Sequence, residues 1–193
     1  MKKIFVFSLV ALCVSAMFSC SSCNKKADNK VDSNLEVEKV LSTDREYMLT
    51  NYGGEYKWYE TTVVSKNFLD EETDGTIESI TSVYQVVSEK DNGADTKVVF
   101  ITHDTNNMNV DVKDGFWVED FDLNNDTIKV TYKQAFDKMM AANYVKPHSR
   151  YCVLRKQVGP KEANAQYIFG NRQSQLYVDA VTCDVSDKNP VIE

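Results

Sequence analysis

The spacing of apolar and polar positions predicts two helices, each followed by a run of strands, along a chain of 193 residues. From Ser33 the apolar residues recur at helical spacing, and Ser33 with Glu36 fits a capping box at the start of a helix. A second box, Thr43 with Glu46, leaves open whether this helix breaks and restarts. Gly53-Gly54 ends the helix in either case.

Strand-like segments follow the first helix. Side chains that are aromatic or β-branched dominate three segments, at residues 56–64, 80–87 and 97–102. Asp91-Asn92-Gly93 predicts the turn between the second and third of these strands. Asp114-Gly115 lies between two alternating segments and predicts a hairpin over residues 109–120.

The second helix has the clearest local signals. Thr131 and Gln134 form a capping box, and one face carries an apolar stripe made of Ala135, Phe136, Met139 and Met140. Pro147 discourages further helix. Three more strands are predicted, at residues 151–158, 165–169 and 175–185.

Runs of strands beside two helices, without regular alternation of strand and helix, indicate an α+β fold. We expect two helix-then-antiparallel-strand units, at residues 33–127 and 128–193. Each helix should pack on one face of an antiparallel sheet. The pattern leaves open whether the two units form one continuous domain.

The first residues have the form of an export signal. Lys2 and Lys3 precede an uncharged, mostly apolar run at 4–18, and this run is shorter than the ~20 residues that a membrane-spanning helix needs. The run ends in Ser19-Cys20, which resembles the bacterial lipobox. We therefore expect a signal peptide at residues 1–19, lipidation of Cys20, and a flexible tether at 20–32.

Two alternatives remain for this region. Cys23, after Ser21-Ser22, is a second possible lipidation site, and an ordinary cleaved signal would leave no lipid at all. If Cys20 is lipidated, several acyl chains attach the protein to a membrane without help from the folded domain.

Composition and charge narrow the class of protein. Hydrophobic residues make up 42% and charged residues 26%, which is typical of a folded domain. The net charge is −7, and it falls to −9 when the signal leaves, because that segment carries two lysines and no acids. This balance argues against a nucleic-acid partner. The sequence predicts no cofactor.

The cysteines and histidines give little support for catalysis. Cys152 and Cys183 could form a disulfide in an oxidising compartment or remain buried or partly buried thiols, and the sequence leaves both open. His148 and Cys152 could share a strand face as a nucleophile pair, although unrelated neighbours are the commoner case. The chain contains no HExxH, GxSxG or phosphate-binding glycine motif.

One acidic segment has the spacing of a calcium loop. Asp70, Glu72 and Asp74 alternate before Gly75, as in an EF-hand loop, but Thr81 stands where a bidentate glutamate belongs. A second, weaker segment is Asp122–Asp126. Solvated turns are the commoner reading of such acids, so calcium is a weak possibility and no metal site is assigned.

Three aromatic residues on the first predicted strand are candidates for an interaction surface. Tyr56 and Trp58 share one face of the strand, and Tyr59 takes the other, so we expect at least one accessible ring. The alternative is that all three pack in the core or at its rim. An unprotected edge of the antiparallel sheet could also accept an extended peptide.

The C-terminal third resembles the PepSY-like domains of exported bacterial proteins, over roughly residues 128–185. The segments that carry the resemblance are Thr131–Phe136, Cys152–Arg155, Tyr167–Asn171 and Leu176–Thr182. It implies one helix paired with antiparallel strands, in a PepSY/cystatin-like arrangement, and the regulation of extracellular peptidases. It brings no catalytic residues. Cys183 stands where the family pattern has a glycine in a turn.

The whole chain also resembles exported lipoproteins of Gram-negative bacteria. We expect a lipid-anchored binding or regulatory module of the cell envelope, at the outer membrane, whose partner is a peptide or an exported protein and which is not an enzyme. The alternatives are an envelope hydrolase whose residues are scattered along the chain and a structural accessory subunit of an envelope complex.

Overall fold

A computed structural model describes residues 35–86, 96–118, 120–123 and 128–192. The expected signal peptide, the tether, Cys20 and Cys23 lie outside these residues, as do the predicted turn at 91–93 and most of the second acidic segment. The elements of the described residues are α1 Val37–Tyr52, β1 Tyr56–Ser65, β2 Ile77–Val86, β3 Lys97–Asp104, β4 Met108–Asp114, β5 Asp120–Phe121, α2 Tyr132–Ala141, β6 Tyr151–Gln157, β7 Gln166–Asn171, β8 Ser174–Asp179 and β9 Val185–Ser186.

Eight of these strands follow one another in a single antiparallel sheet, in the order β4-β3-β2-β1-β6-β7-β8-β9, and the short β5 pairs with β6. The prediction of an α+β fold with antiparallel strands is confirmed at this level. Each helix precedes four strands of the path, and the first strand of each set, β1 and β6, pair with each other in the middle. Residues 32–193 form one compact unit.

Most of the buried apolar side chains lie in contact with one another. Alternate strand residues such as Val63, Ile80 and Leu154 belong to a single buried cluster that also contains the apolar faces of α1 and α2. Helix α1 contacts β1 and β2, and α2 contacts β7 and β8. The start of α2 is tied to α1, because the backbone N–H of Tyr132 donates to the carboxylate of Glu38 over 2.8 Å.

The two helices begin differently. In α2 the predicted capping box is present, since Thr131 accepts from the N–H of Gln134 and the Gln134 side chain accepts in return. In α1, however, Glu36 is the N-cap residue rather than the third residue of the helix, so the predicted box with Ser33 is wrong. The helix also runs unbroken through Thr43, whose hydroxyl donates to the carbonyl of Lys39.

The hairpin predicted at Asp114-Gly115 is wrong. The whole of β4 pairs with β3, and the tight turn is at Asp104–Asn107, where the N–H of Asp104 donates to the Asn107 carbonyl. The Asp104 carboxylate accepts the N–H groups of Asn106 and Asn107, which stabilises the turn without a glycine. At Gly115, with φ 131°, the chain leaves the sheet.

The last predicted strand is divided into β8 and β9 by a turn at residues 180–184. Cys183 occupies this turn with φ 66° and is the one non-glycine residue with positive φ in the described parts of the chain. Asp179 organises the turn, because its Oδ1 accepts the N–H groups of Val181 and Thr182. A cysteine therefore takes a backbone conformation that favours glycine.

Candidate functional site

Strand β4 forms one edge of the sheet, and all seven of its residues are exposed. Its pairing with β3 puts Val110 opposite Ile101 and Val112 opposite Val99, whose side chains lie in the core cluster. Because facing residues of antiparallel strands point to the same side, the two valines project on the core side of the sheet. Met108 shares this side, opposite His103.

These apolar side chains lie beyond the reach of α1. Helix α1 contacts β1 and β2, and its Asp44 reaches His103 of β3. Met108, Val110 and Val112 consequently remain 37%, 36% and 43% exposed. The described residues thus leave a row of three apolar side chains uncovered on the edge strand.

Among the described strands only β3 pairs with β4, so part of the β4 backbone has no partner within the described residues. In the β3–β4 pair, bonds join the backbones of Asp104 and Asn107 at one end and of Thr96 and Gly115 at the other. Because bonded pairs alternate along an antiparallel ladder, the odd-numbered residues 109, 111 and 113 bond to β3. The N–H and C=O groups of residues 108, 110, 112 and 114 therefore point outward from the sheet.

The face of β4 opposite the core side is polar. Lys113 lies 3.3 Å from the carboxylate of Asp111 and 4.8 Å from the ring centre of Phe100. A lysine on an edge strand is a common protection against unwanted pairing, but here it is held against its own sheet. The strand has no proline and no bulge in its pairing with β3. Its edge is therefore accessible to another strand.

The aromatic residues predicted for interaction are largely interior. Trp58 is 6% and Tyr59 8% exposed, and Tyr56 is half-buried. The indole N–H of Trp58 donates to the hydroxyl of Thr61 over 3.0 Å, and Tyr59 lies at a break in the register of β1 with β2. Trp58 and Tyr59 thus pack in the interior, as in the alternative interpretation of these residues, whereas Tyr56 remains partly exposed.

A buried polar pair joins α1 to the sheet. Oδ1 of Asp44, a residue with no exposed surface, lies 2.6 Å from Nε2 of His103. Burial raises the pKa of Asp44, while the hydroxyl of Ser82 and the imidazole of His103 oppose this shift. The pair links α1 to β3, and no sequence motif indicates it because its members are 59 residues apart.

The carboxylates of the acidic loop make separate interactions. Asp70 is bonded to Nδ1 of His148 over 3.0 Å, and Asp74 accepts the N–H and the hydroxyl of Thr76. These hydrogen bonds from Thr76 lower the pKa of Asp74. Within the described residues, no group of three or more His, Cys, Asp or Glu side chains is placed to hold a metal ion.

The thiols are separate from each other and from the histidine. Cys152 and Cys183 are both free cysteines, so the structure contains no disulfide between them. Cys152 is 1% exposed, and burial raises the pKa of its thiol. His148 is instead paired with Asp70 and stacked on Phe68, with ring centres 4.2 Å apart. This arrangement does not provide an activated Cys–His nucleophile.

Comparison of the chain with models of protein families, with curated proteins and with solved structures gave no match. In the described part of the chain, no helix is both long and apolar enough to cross a membrane.

The sequence predicts a sheet edge in general but does not identify β4 as that edge. The signal for an edge strand in the sequence is the alternation of Val110 and Val112 with polar residues, which also fits one arm of a hairpin.

Proposed function

We propose that this protein is a lipid-anchored binding or regulatory module of the bacterial cell envelope, and that it takes an extended segment of a peptide or exported protein as an added strand on β4. The observation that carries this proposal is the free edge of β4. Four residues there, Met108, Val110, Val112 and Asp114, direct both backbone groups outward, and three of them carry exposed apolar side chains.

Strand addition accounts for both affinity and selectivity. Each new backbone hydrogen bond contributes roughly 0.5–1.5 kcal/mol net, and four residues offer several such bonds. Side chains of the added strand would alternate between the apolar row on the core side and the polar side that carries Asp111 and Lys113. The favoured partner is therefore an extended segment with apolar residues at alternate positions.

The resemblance of the C-terminal third to PepSY-like domains supports a regulatory role. Helix α2 is followed by four antiparallel strands, and Cys183 adopts the positive φ that the glycine of the family turn would adopt. The bond from Tyr132 to Glu38 favours packing of both helices on one face of the sheet. Regulation of an envelope peptidase is the specific role that the resemblance implies.

The anchor is proposed from the sequence alone. Lys2, Lys3, the apolar run and Ser19-Cys20 together favour lipidation of Cys20 and attachment to the outer membrane. Metabolic labelling with a fatty-acid analogue tests this directly. Cys20→Ala should abolish the label and Cys23→Ala should retain it. Labelling that depends on Cys23 would contradict the assignment of the site.

Loss of one outward N–H tests strand addition. Val110→Pro removes an outward donor while leaving the ladder to β3 intact, because proline is tolerated on the open side of an edge strand. Val110→Thr is the matched control, since it keeps both the N–H and the β-branched shape. Both variants should fold, as judged by circular dichroism.

Partner capture provides the readout. A photoreactive amino acid at position 112 should cross-link an envelope protein in living cells, whereas the same group at the exposed position 145, after α2, should not. Val110→Pro should abolish the cross-link, and Val110→Thr should keep it. A cross-link that survives Val110→Pro in a folded protein would refute strand addition on β4. A stable complex captured equally from both positions would favour the accessory subunit instead.

A further inference from the structure

Two cavities are lined by Arg45, which lies on α1 next to Asp44. One has a volume of about 300 Å³ and lies beside Leu49, Tyr56 and Tyr84. The other has a volume of about 240 Å³ and lies beside Leu41, Leu154 and Tyr167. Arg45 and Trp58 line both cavities, so the guanidinium stands between them.

The guanidinium of Arg45 is held in place but not neutralised. Arg45 is half-buried, and its central carbon lies 5.9 Å from the ring centre of Trp58. Among the described residues, no carboxylate lies within 4 Å of its nitrogens. Glu38 lines one of the cavities, but its Oε1 already accepts the N–H of Tyr132.

A half-buried cation without a counter-ion is unusual, because removal from water is costly unless the charge is paired. Stacking on Trp58 fixes the plane of the guanidinium, and its N–H donors match the two oxygens of a carboxylate. Lys57 and Lys129 line the cavities on either side. Asp122 and Glu38 also line the cavities, one in each, so the three cations exceed the carboxylates by one.

The residues that line the cavities indicate the chemistry of the rest of the ligand. Beside Arg45, the larger cavity is lined by leucine and aromatic side chains and also by Lys57 and Asp122. A cavity of about 300 Å³ is at the small end of ligand pockets. We propose that Arg45 binds the carboxylate of a small ligand that carries an apolar group, which occupies one of the two cavities.

This chemistry has two sources, a free carboxylic acid such as an N-acylated amino acid and the C-terminus of a peptide. The site is separate from β4 and does not depend on the strand-addition proposal. Its occupancy should therefore be unaffected by Val110→Pro, so failure of one proposal can be distinguished from failure of the other.

Isothermal titration of the purified full-length chain with N-acetyl-L-phenylalanine and N-acetyl-L-leucine tests the site, with the corresponding amides as uncharged controls. At least one acid should bind at millimolar concentration or below, and its amide should bind about tenfold more weakly or not at all. Arg45→Gln should cause the same loss. Arg45→Lys should retain part of the affinity, because it keeps the charge but not the fork of donors.

Arg150→Gln is the matched control, since Arg150 is paired with Glu78 on the surface and should not affect the titration. A short peptide that ends in phenylalanine, with a free or an amidated C-terminus, distinguishes the two sources. If the peptide with a free C-terminus binds as tightly as the free acid, the ligand is a peptide terminus. If the peptide does not bind, the ligand is a small acid. Absence of binding by every carboxylate, or binding that is indifferent to amidation and to Arg45→Gln, would overturn the proposal.

Discussion

Glycine at position 183 should give a more stable protein than alanine, because residue 183 has φ 66° in the turn between β8 and β9. The left-handed conformation costs a side-chain-bearing residue roughly 1–2 kcal/mol. Glycine avoids this cost but loses about 0.4–1 kcal/mol through the greater freedom of the unfolded chain. The cysteine side chain also packs partly against the core. The appropriate comparison is therefore Cys183→Gly with Cys183→Ala, and glycine should be more stable by about 0.5–1 kcal/mol.

Urea denaturation of the full chain under reducing conditions measures this difference. Thr182 provides the control, since it is the adjacent residue and does not have a positive φ. At position 182, glycine should be less stable than alanine by about 0.5–1 kcal/mol, so the sign should reverse between neighbouring positions. If glycine is less stable than alanine at both positions, the turn does not place residue 183 in the left-handed region and the reasoning is refuted.

Three further predictions concern stability. Asp179→Asn should destabilise the protein by roughly 1–3 kcal/mol in urea denaturation, because the carboxylate accepts hydrogen bonds from four donor groups around the turn and the amide cannot accept them all. Gly170→Ala should lower the free energy of unfolding by roughly 2–4 kcal/mol, since a Cβ would lie 2.1 Å from the carbonyl oxygen of Ser174 and residue 170 has φ 125°. Gly54→Ala should be close to neutral, because the space around Gly54 is open. Equal effects of the two substitutions would contradict this packing. For Asp44 the folded pKa is raised, so the folded protein takes up a proton at a higher pH than the unfolded chain does. The stability of the wild type relative to Asp44→Asn should therefore increase as the pH falls from 7 towards about 4, and a difference that is constant with pH would contradict the burial of this carboxyl.

Local signals in the sequence were sufficient for individual elements. The capping box of Thr131 and Gln134 and the apolar stripe after it describe α2 well, because both depend on residues three or four apart. Period-two alternation likewise located most of the strands. The false hairpin at Asp114-Gly115 arose because that dipeptide also suits a residue leaving the sheet, while the real turn uses the side chain of Asp104.

The arrangement of those elements depended on contacts that sequence patterns do not reveal. Strands β1 and β6 meet through pairs such as Glu60 with Arg155, nearly half the chain apart. In the resulting strand order β4 lies at one end of the sheet, and its Val110 and Val112 are exposed. The burial of Trp58 and Tyr59 also depends on such contacts, because strand alternation predicts opposite faces for the two rings but not which face is covered.

The candidate ligand site was invisible for another reason. Arg45 is a single arginine on a helix that carries many charged residues, and no motif distinguishes it. Its interest comes from what surrounds it, namely the ring of Trp58, two cavities and the lack of a carboxylate partner among the described residues. These contacts are visible only in the three-dimensional structure.

Amide hydrogen exchange along β4 tests the central claim most directly. In the free protein, the amides of residues 109, 111 and 113 should be protected by their bonds to β3, and those of 108, 110, 112 and 114 should exchange rapidly. In the complex with the partner captured through position 112, the even-numbered amides should become protected as well. Even-numbered amides that still exchange rapidly in that complex would contradict strand addition on β4.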